Sequence, residues 1–577
     1  STWTLHWQAH KDSKRAISDG SFALVIQKLR IAAEEANSND TEVTAEQIEY
    51  HAGKIKKNTA LGSDCTSPIA ISRLPLEGRQ ELARLMNSWV QSLCLPLQAM
   101  CNLMAVIPKP DQAGERLVAL MPMMARVLFR CKRWAVSQWE DGLASFWDQA
   151  IRGSSALRSA VHRAYSLEVH GILGVSSAIA FIDIEKFYDS LDPIILVEDV
   201  LNIGFPAISL LLHLQAHWGP RIIQYRGIVS KYISVSRSIL AGCTSSNSLS
   251  RGYLYRVCES MHYQLPKVHL RTFVDDIVLY LFGPKAGIIK MMVGALSYIF
   301  ELLVEVKLTV AKEKGIIVGS DPSIANEIAK ALAKQNGLQG IRMKPKKATK
   351  DLGVTCAGGL RRSSLMFQSR KTKAAQKVAR AGKFARMAGL ANMTKTKKLW
   401  AQSVEPTIMY GATMAGLTSR QLKGIQAIAV RALGYKSSQQ CATATLAITS
   451  GHYSLPAVRF RVEVIFQWLE IIFSDGFDIK PALRAWQIAR SKLAASTKPW
   501  SLVAGPMQAT IATLGELGWQ PLTPFAWKDE EGRLWDITDT ERCTKRSADS
   551  ILRAIRQTAL KLVWAQASHH RCSGGLN

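Results

Sequence analysis

An α+β fold is what this sequence predicts, with antiparallel strands flanked by helices and a mainly helical C-terminal region. Three observations predict it. Two apolar, strand-like runs, SSAIAFID (176–183) and RTFVDDIVLY (271–280), each carry carboxylates where the run would otherwise stay buried. Two further stretches, IPKPDQAGERLVAL (107–120) and IIQYRGIVSKYISVS (222–236), alternate around Pro/Gly-type turns as hairpins do. Most of what lies between and after them repeats its apolar residues at helical spacing.

Composition narrows the function classes. A chain of 577 residues can hold several domains on a sizeable shared core. With 47% hydrophobic and 20% charged residues it is not a disordered protein. The 73 Lys+Arg against 45 Asp+Glu leave a net charge of +28, which favours a polyanionic partner, nucleic acid or an anionic membrane surface. The ten cysteines are scattered without a C-x-x-C, which excludes a disulfide framework and an ordinary zinc finger. Cys543, His569, His570 and Cys572 lack the second cysteine pair that a zinc knuckle needs. The longest uncharged run, Val200 to Pro220, contains Pro206, His213, Gln215 and His217, and reads as a core helix with its turns, not a membrane span. The first residue is Ser and no signal-peptide pattern opens the chain, so an excised region of a longer polyprotein is expected.

In chain order, residues 1–57 read as helical, with Thr44 and Gln47 forming a capping box ahead of AEQIEYHAGKI. NTALGSDCTSP (58–68) is a turn-rich loop, and residues 69–100 show helical spacing. The hairpin at 107–120 carries Lys109 and Arg116. Helices follow to about 170, then the strand ending at Asp183 and a helical region to about 218. The second hairpin turns at Arg226–Gly227, and SILAGCTSSNSLSRGYLYRVCESM (238–261) is a glycine-containing turn opening a helix. After the Asp275–Asp276 strand come an amphipathic helix near 287–304 and VAKEKGIIVGS (310–320). Between Arg342 and Trp400 there are 17 Lys/Arg and a single acid, Asp351. Arg370, Lys373, Lys377 and Arg380 recur at helical spacing on one face, with Lys383 beyond them, and no acid offsets them between 369 and 404. Single-sign faces of this kind suit a phosphate backbone. The C-terminal third is helical to about 497, with a hairpin around DEEG in FAWKDEEGRLWDI (525–537).

Charges in an apolar strand are costly unless something pairs with them. Two strands that place Asp183 beside Asp275 and Asp276 would create an oxygen-rich site for hard divalent cations, Mg²⁺ first. Two such ions can activate a hydroxyl, hold a triphosphate and stabilise a leaving pyrophosphate. Phosphoryl transfer is the chemistry this constellation suggests.

At this point the sequence resembles the reverse transcriptases, and among them those of non-LTR (LINE-type) retrotransposons. FVDD matches the aromatic-x-Asp-Asp box, and FIDIEKFYDS the first aspartate box. The order of the remaining boxes agrees over roughly 58–415, ending in the thumb-like EPTIMYGA (405–412). The resemblance implies a right-hand polymerase: an N-terminal helical extension (1–57), fingers and palm (58–320), a basic primer grip and thumb (321–415), and a mainly α C-terminal domain (416–577). It implies two Mg²⁺ ions, with Mn²⁺ as a substitute, on Asp183, Asp275, the Ile184 carbonyl and, secondarily, Asp276. Lys109 and Arg116 would grip the incoming triphosphate, and Gly242, in LAGCTSS, would let the template–primer pair approach. Lys314, with Lys312 as its rival, would stand near the leaving pyrophosphate. Tyr188, five residues after Asp183, falls where the family sets an aromatic ring against the sugar to select deoxynucleotides. Leu352–Gly353 resembles the primer-grip turn.

The expected activity is RNA-directed DNA polymerisation on an RNA template and DNA primer with dNTPs, acting in the nucleus on an RNA–DNA heteroduplex. Target cleavage would come from an endonuclease or other element protein outside this chain. The sequence departs from the family's usual pattern at Ala241 (usually Gln), at Leu117–Val118 (usually Pro-Ile after the arginine) and at Phe187 (usually a small residue). The alternatives are a decayed or repurposed polymerase-fold RNA-binding protein, an RNA-dependent RNA polymerase, or an intron-maturase-like enzyme.

Overall fold

The computed structural model describes residues 20–37, 40–108, 115–143, 145–335, 340–359, 362–387, 398–435, 441–474, 477–537 and 545–569. The capping box holds: the Thr44 hydroxyl accepts from the Gln47 amide, the Gln47 side chain reaches back, and a helix runs from Ala45 to Lys54.

The two carboxylate-bearing runs are neighbours in a five-stranded sheet. Its strands are β3 (Ser176–Ile182), β6 (His269–Phe273), β7 (Asp276–Gly283), β8 (Ile316–Gly319) and β9 (Lys344–Lys346), in the order β6-β7-β3-β8-β9. All pairs are antiparallel except β8–β9, which is parallel, so the antiparallel sheet expected from the sequence ends in a parallel edge strand.

Strand alternation explains why β3 and β7 read as continuous apolar runs: both of their faces are covered. Ala178, Ala180 and Ile182, with Ile277, Leu279 and Leu281, face a core built with the helices Pro193–Asn202, Ser246–Gln264 and Lys285–Glu305. Ile179, Val278 and Tyr280 face the other way, onto Leu167 and Cys356. Lys285–Glu305 is long and apolar enough to cross a membrane, but it packs on β3 and β7 and buries Met292, Leu296, Ile299 and Leu303 there. The same core continues through Ile324, Ile328 and Leu332 of the helix Pro322–Ala333 to Met343.

A second sheet holds β1 (Asn102–Pro108), β2 (Glu115–Leu120), β4 (Arg221–Tyr225) and β5 (Ile228–Val229), in the order β2-β1-β4-β5. β1–β2 and β4–β5 are hairpins, and β1 and β4 lie parallel. The β4–β5 turn falls at Arg226–Gly227, with φ of 49° and 82°, the left-handed pair that a tight two-residue hairpin requires.

A third layer is wholly different in character. Helices from Leu365 to Ser568 close on a second core that includes Trp468, Trp486 and Trp527. That core also takes in Ala160 and Val161 of the helix Ala156–Ile172 and Ala374 of the basic helix Leu365–Met387. The C-terminal region and the basic helix are therefore one packed body. Glu168 strengthens the joint: its buried carboxylate accepts the amides of Met507 and Gln508, which open the helix Pro506–Glu516. The α+β class and the polymerase-like layout are both present.

Candidate active site

The site begins with a strained turn. β6 and β7 are joined by only two residues, Val274 and Asp275, with Phe273 paired to Asp276 across the hairpin. Val274 has φ +60°, a conformation that a β-branched residue adopts only when its surroundings impose it. The turn lifts Asp275 off the sheet and leaves Asp276 as the first residue of β7. β3 runs antiparallel to β7 with Ile182 opposite Ile277, so the next residue along, Asp183, comes level with Asp276.

The carboxylates sense one another. Burial raises the Asp275 pKa and the Asp183 charge raises it further, opposed by a backbone hydrogen bond and by Arg116. Asp276 is pushed up to about 6, first by desolvation and then by Asp275, Asp351 and Asp183, although its side chain remains open to solvent. Such mutual repulsion is what a bound cation relieves.

Lys314 already supplies one positive charge. Its ammonium lies 2.8 Å from Asp183 Oδ2, placed by the turn ahead of β8. The Ala311 amide donates to the Asp183 carbonyl and the Glu185 amide to the Thr309 carbonyl, each at 2.8 Å. This Ile184–Val310 bridge uses the carbonyl of Asp183 and leaves that of Ile184 outside it. Of Lys314 and Lys312, it is Lys314 whose side chain reaches the carboxylates.

Tyr188 stands in the same cleft, a space of about 650 Å³ that it lines with Asp275, Asp276, Lys350, Gly353 and Tyr410. Its hydroxyl donates to Asn247 Oδ1 at 2.9 Å, and its carbonyl accepts the Ile239 amide. Burial and then the Asp275 charge push its pKa up to about 12, so the phenol is neutral. Gly242 has φ +119°, and a side chain there would come within 3.2 Å of the Ala119 carbonyl of β2. Ala241 meets the same strand, its carbonyl accepting the Ala119 amide. Arg116 lies exposed on β2, and Lys109 lies outside the described residues, as do Cys543, His570 and Cys572 of the cysteine/histidine group.

The basic helix divides. Lys373, Lys377, Arg380 and Lys383 are exposed, with Lys377 also donating to Ser403 and Thr407. Arg370 is half-buried and helps to line the cleft that holds Asp275 and Asp276. Its guanidinium donates to the carbonyls of Gly353 and Tyr410 and stacks 4.4 Å from the Tyr410 ring centroid. The row expected from the sequence is thus split, with Arg370 engaged at the Leu352–Gly353 turn and the other three on the exposed face. Periodicity sets the angle of a side chain around its helix, and here the neighbouring Leu352–Gly353 turn claims the first of them.

One group the sequence reasoning did not assign lies under the cleft. Asp351 makes a two-point contact with Arg163, at 2.8 and 2.7 Å, both side chains being 3% exposed. The signal was its isolation as the single acid among 17 cations. A lone carboxylate in such a stretch is more readily explained by a buried partner than by solvent.

Among the described residues, no cluster of three or more His, Cys, Asp and Glu forms a ready metal cage. The donor set nevertheless suits a hard cation, being all oxygen, with a lysine ammonium already paired to one carboxylate.

Residues 107–356, somewhat less than half of the chain, match the family described as reverse transcriptase (RNA-dependent DNA polymerase). No curated protein matches the chain. Among solved structures it is similar to apo telomerase from Candida tropicalis, truncated from the C-terminal domain, at 12% identity and a TM-score of 0.33. That likeness covers 50% of this chain and 63% of the telomerase chain, less than two thirds of it. By that family match, residues 107–356 of this chain carry a reverse transcriptase domain.

Proposed function

We propose that the chain is the reverse transcriptase of a non-LTR, LINE-type retrotransposon, extending a DNA primer 3′-hydroxyl with dNTPs on an RNA template. The observation that carries the reading is the register of β3 on β7, which brings Asp183 level with the turn bearing Asp275 and Asp276. The subtype rests on the sequence boxes across 58–415 and on the basic segment that follows them.

In this reading Asp183, Asp275 and the Ile184 carbonyl would hold two Mg²⁺ ions, or Mn²⁺ in their place, with Asp276 as a secondary ligand. Bound there, the ions would supply Lewis-acid activation of the attacking hydroxyl and neutralise charge at the leaving pyrophosphate. The residues of the chain do the rest by position and charge. Lys314 is a cation that can pass from Asp183 to a phosphate. Lys109 and Arg116 take the triphosphate, and Gly242 leaves room for the template–primer pair. Tyr188 presents its ring where a 2′-hydroxyl would collide. Lys373, Lys377, Arg380 and Lys383 face the heteroduplex backbone without reading sequence. The place of action is the nucleus, with target cleavage supplied by an element protein outside this chain.

Primer extension on an RNA template with Mg²⁺ tests the proposal. dNTP-dependent extension that Asp275→Ala abolishes is the expected result. Extension with NTPs alone would move the chain to the RNA polymerases. No extension by folded protein that still binds RNA would make it a repurposed binding protein.

A further inference from the structure

The ring of Tyr188 can exclude a 2′-hydroxyl only if it stays where it is. A tyrosine at the start of a short helical turn has two free side-chain torsions, and a ring that swings aside costs the incoming ribonucleotide little. Three contacts restrict this one. The Tyr188 carbonyl accepts the Ile239 amide at 2.9 Å. The ring edge meets Phe187, with centroids 5.7 Å apart at 63°, and Phe187 is itself buried at 3% exposure. The hydroxyl donates to Asn247 Oδ1 at 2.9 Å, 59 positions away. The last acts on the far end of the ring, the end a swing would move most, where the buried Ser250 side chain of the same helix also bonds to the hydroxyl.

Asn247 is well placed for this. It lies in the first turn of the helix Ser246–Gln264, whose next residues, Ser248, Leu249 and Ser250, are buried in the sheet's core. Its own side chain is exposed outside that core, and its Oδ1 accepts from the Tyr188 hydroxyl. The loop opening this helix is also the one whose backbone meets β2 at Ala241 and Gly242. The anchor for the ring and the surface for the template–primer pair therefore belong to one rigid segment.

We propose that Asn247 is a positioning residue for sugar selection: by holding the Tyr188 hydroxyl it keeps the ring fixed against the 2′ position of the incoming nucleotide. The inference rests on the polymerase reading above and on Tyr188 as the sugar gate. It adds the residue that makes the gate rigid.

The test is single-nucleotide extension on the RNA template by the full chain, comparing kcat/KM for a dNTP with that for the matching NTP. The variants are Asn247→Ala, Tyr188→Phe, their double mutant and Tyr188→Ala. Loss of one exposed neutral hydrogen bond predicts that Asn247→Ala and Tyr188→Phe each reduce the dNTP preference by about threefold to tenfold. The double mutant should lose no more than Tyr188→Phe alone, because that substitution already removes the bond to Asn247. Tyr188→Ala should lose far more. Additive effects of Asn247→Ala and Tyr188→Phe would mean that Asn247 contacts the nucleotide itself, and would overturn the proposal. So would an unchanged preference in Asn247→Ala while Tyr188→Ala relaxes it. If Tyr188→Ala leaves the preference intact, the gate reading itself fails, and if the parent chain extends nothing, the polymerase reading does.

Discussion

Replacing Asp276 by Asn removes one charge from a group of carboxylates that repel each other. The Asp276 pKa stands at about 6 against an ordinary 3.8, raised by desolvation, Asp275, Asp351 and Asp183. A group whose pKa is higher in the folded state favours folding fully below its unfolded value, and that contribution is lost as pH rises through about 6. Two units felt in full amount to about 3 kcal/mol. The side chain is open to solvent, so water and salt reduce this to about 1 kcal/mol. Asn cannot ionise and keeps the stability at high pH. In chelator-treated protein, urea unfolding followed by tryptophan fluorescence should find Asp276→Asn more stable than the parent by about 1 kcal/mol near pH 8, with the difference nearly gone near pH 4. Millimolar Mg²⁺ should narrow the gap at pH 8, since ligation stabilises the parent more. A variant that is less stable by the same amount at both pH values would refute the reasoning, because Asp276 would then be making a favourable fixed contact.

Four further outcomes follow from the same geometry. Arg163→Ala strands Asp351 in a site where both partners are 3% exposed, and should cost about 3–5 kcal/mol in denaturant unfolding; a cost below about 1 kcal/mol would show that the pair is not needed. Alanine at Lys373, Lys377, Arg380 or Lys383 should weaken binding to an RNA–DNA duplex regardless of sequence and lower the salt dependence by about 0.9 per lost phosphate contact. Arg370→Ala should instead lower the melting temperature and leave that slope unchanged, since its guanidinium holds Gly353 and Tyr410. Removing residues 416–577 exposes the core that Ala160, Val161 and Ala374 share with them, so the shortened chain should lose cooperative unfolding by circular dichroism; a sharp transition would show the C-terminal body to be dispensable.

What could be read in the sequence was local. The capping box at Thr44, the turn at Arg226–Gly227 and the hairpin around DEEG depend on residues within a few positions of each other, and each formed where its chemistry predicts. The aspartates were legible because a carboxylate in an apolar strand demands an explanation. What the sequence concealed were contacts between distant segments. Arg163 meets Asp351 across 188 positions, and only the isolation of Asp351 hinted at a partner. Helical spacing put Arg370 beside Lys373, but the Leu352–Gly353 turn decides where its guanidinium goes. Asn247 looks like any polar residue at a helix start until the Tyr188 hydroxyl is found beside it. The strain at Val274 had no signal either, because valine is otherwise at home in a strand. The sharing of one core between the basic helix and the C-terminal body was equally hidden, since apolar periodicity says that a face is buried but not against what.

The most direct test of the central claim is anomalous diffraction from crystals grown with Mn²⁺, an RNA–DNA duplex and a non-hydrolysable dNTP. Two anomalous peaks are expected among Asp183, Asp275 and the Ile184 carbonyl, with the Lys314 ammonium moved from Asp183 to the phosphates. Nucleotide bound with no peak at these carboxylates, and Lys314 still paired to Asp183, would contradict it.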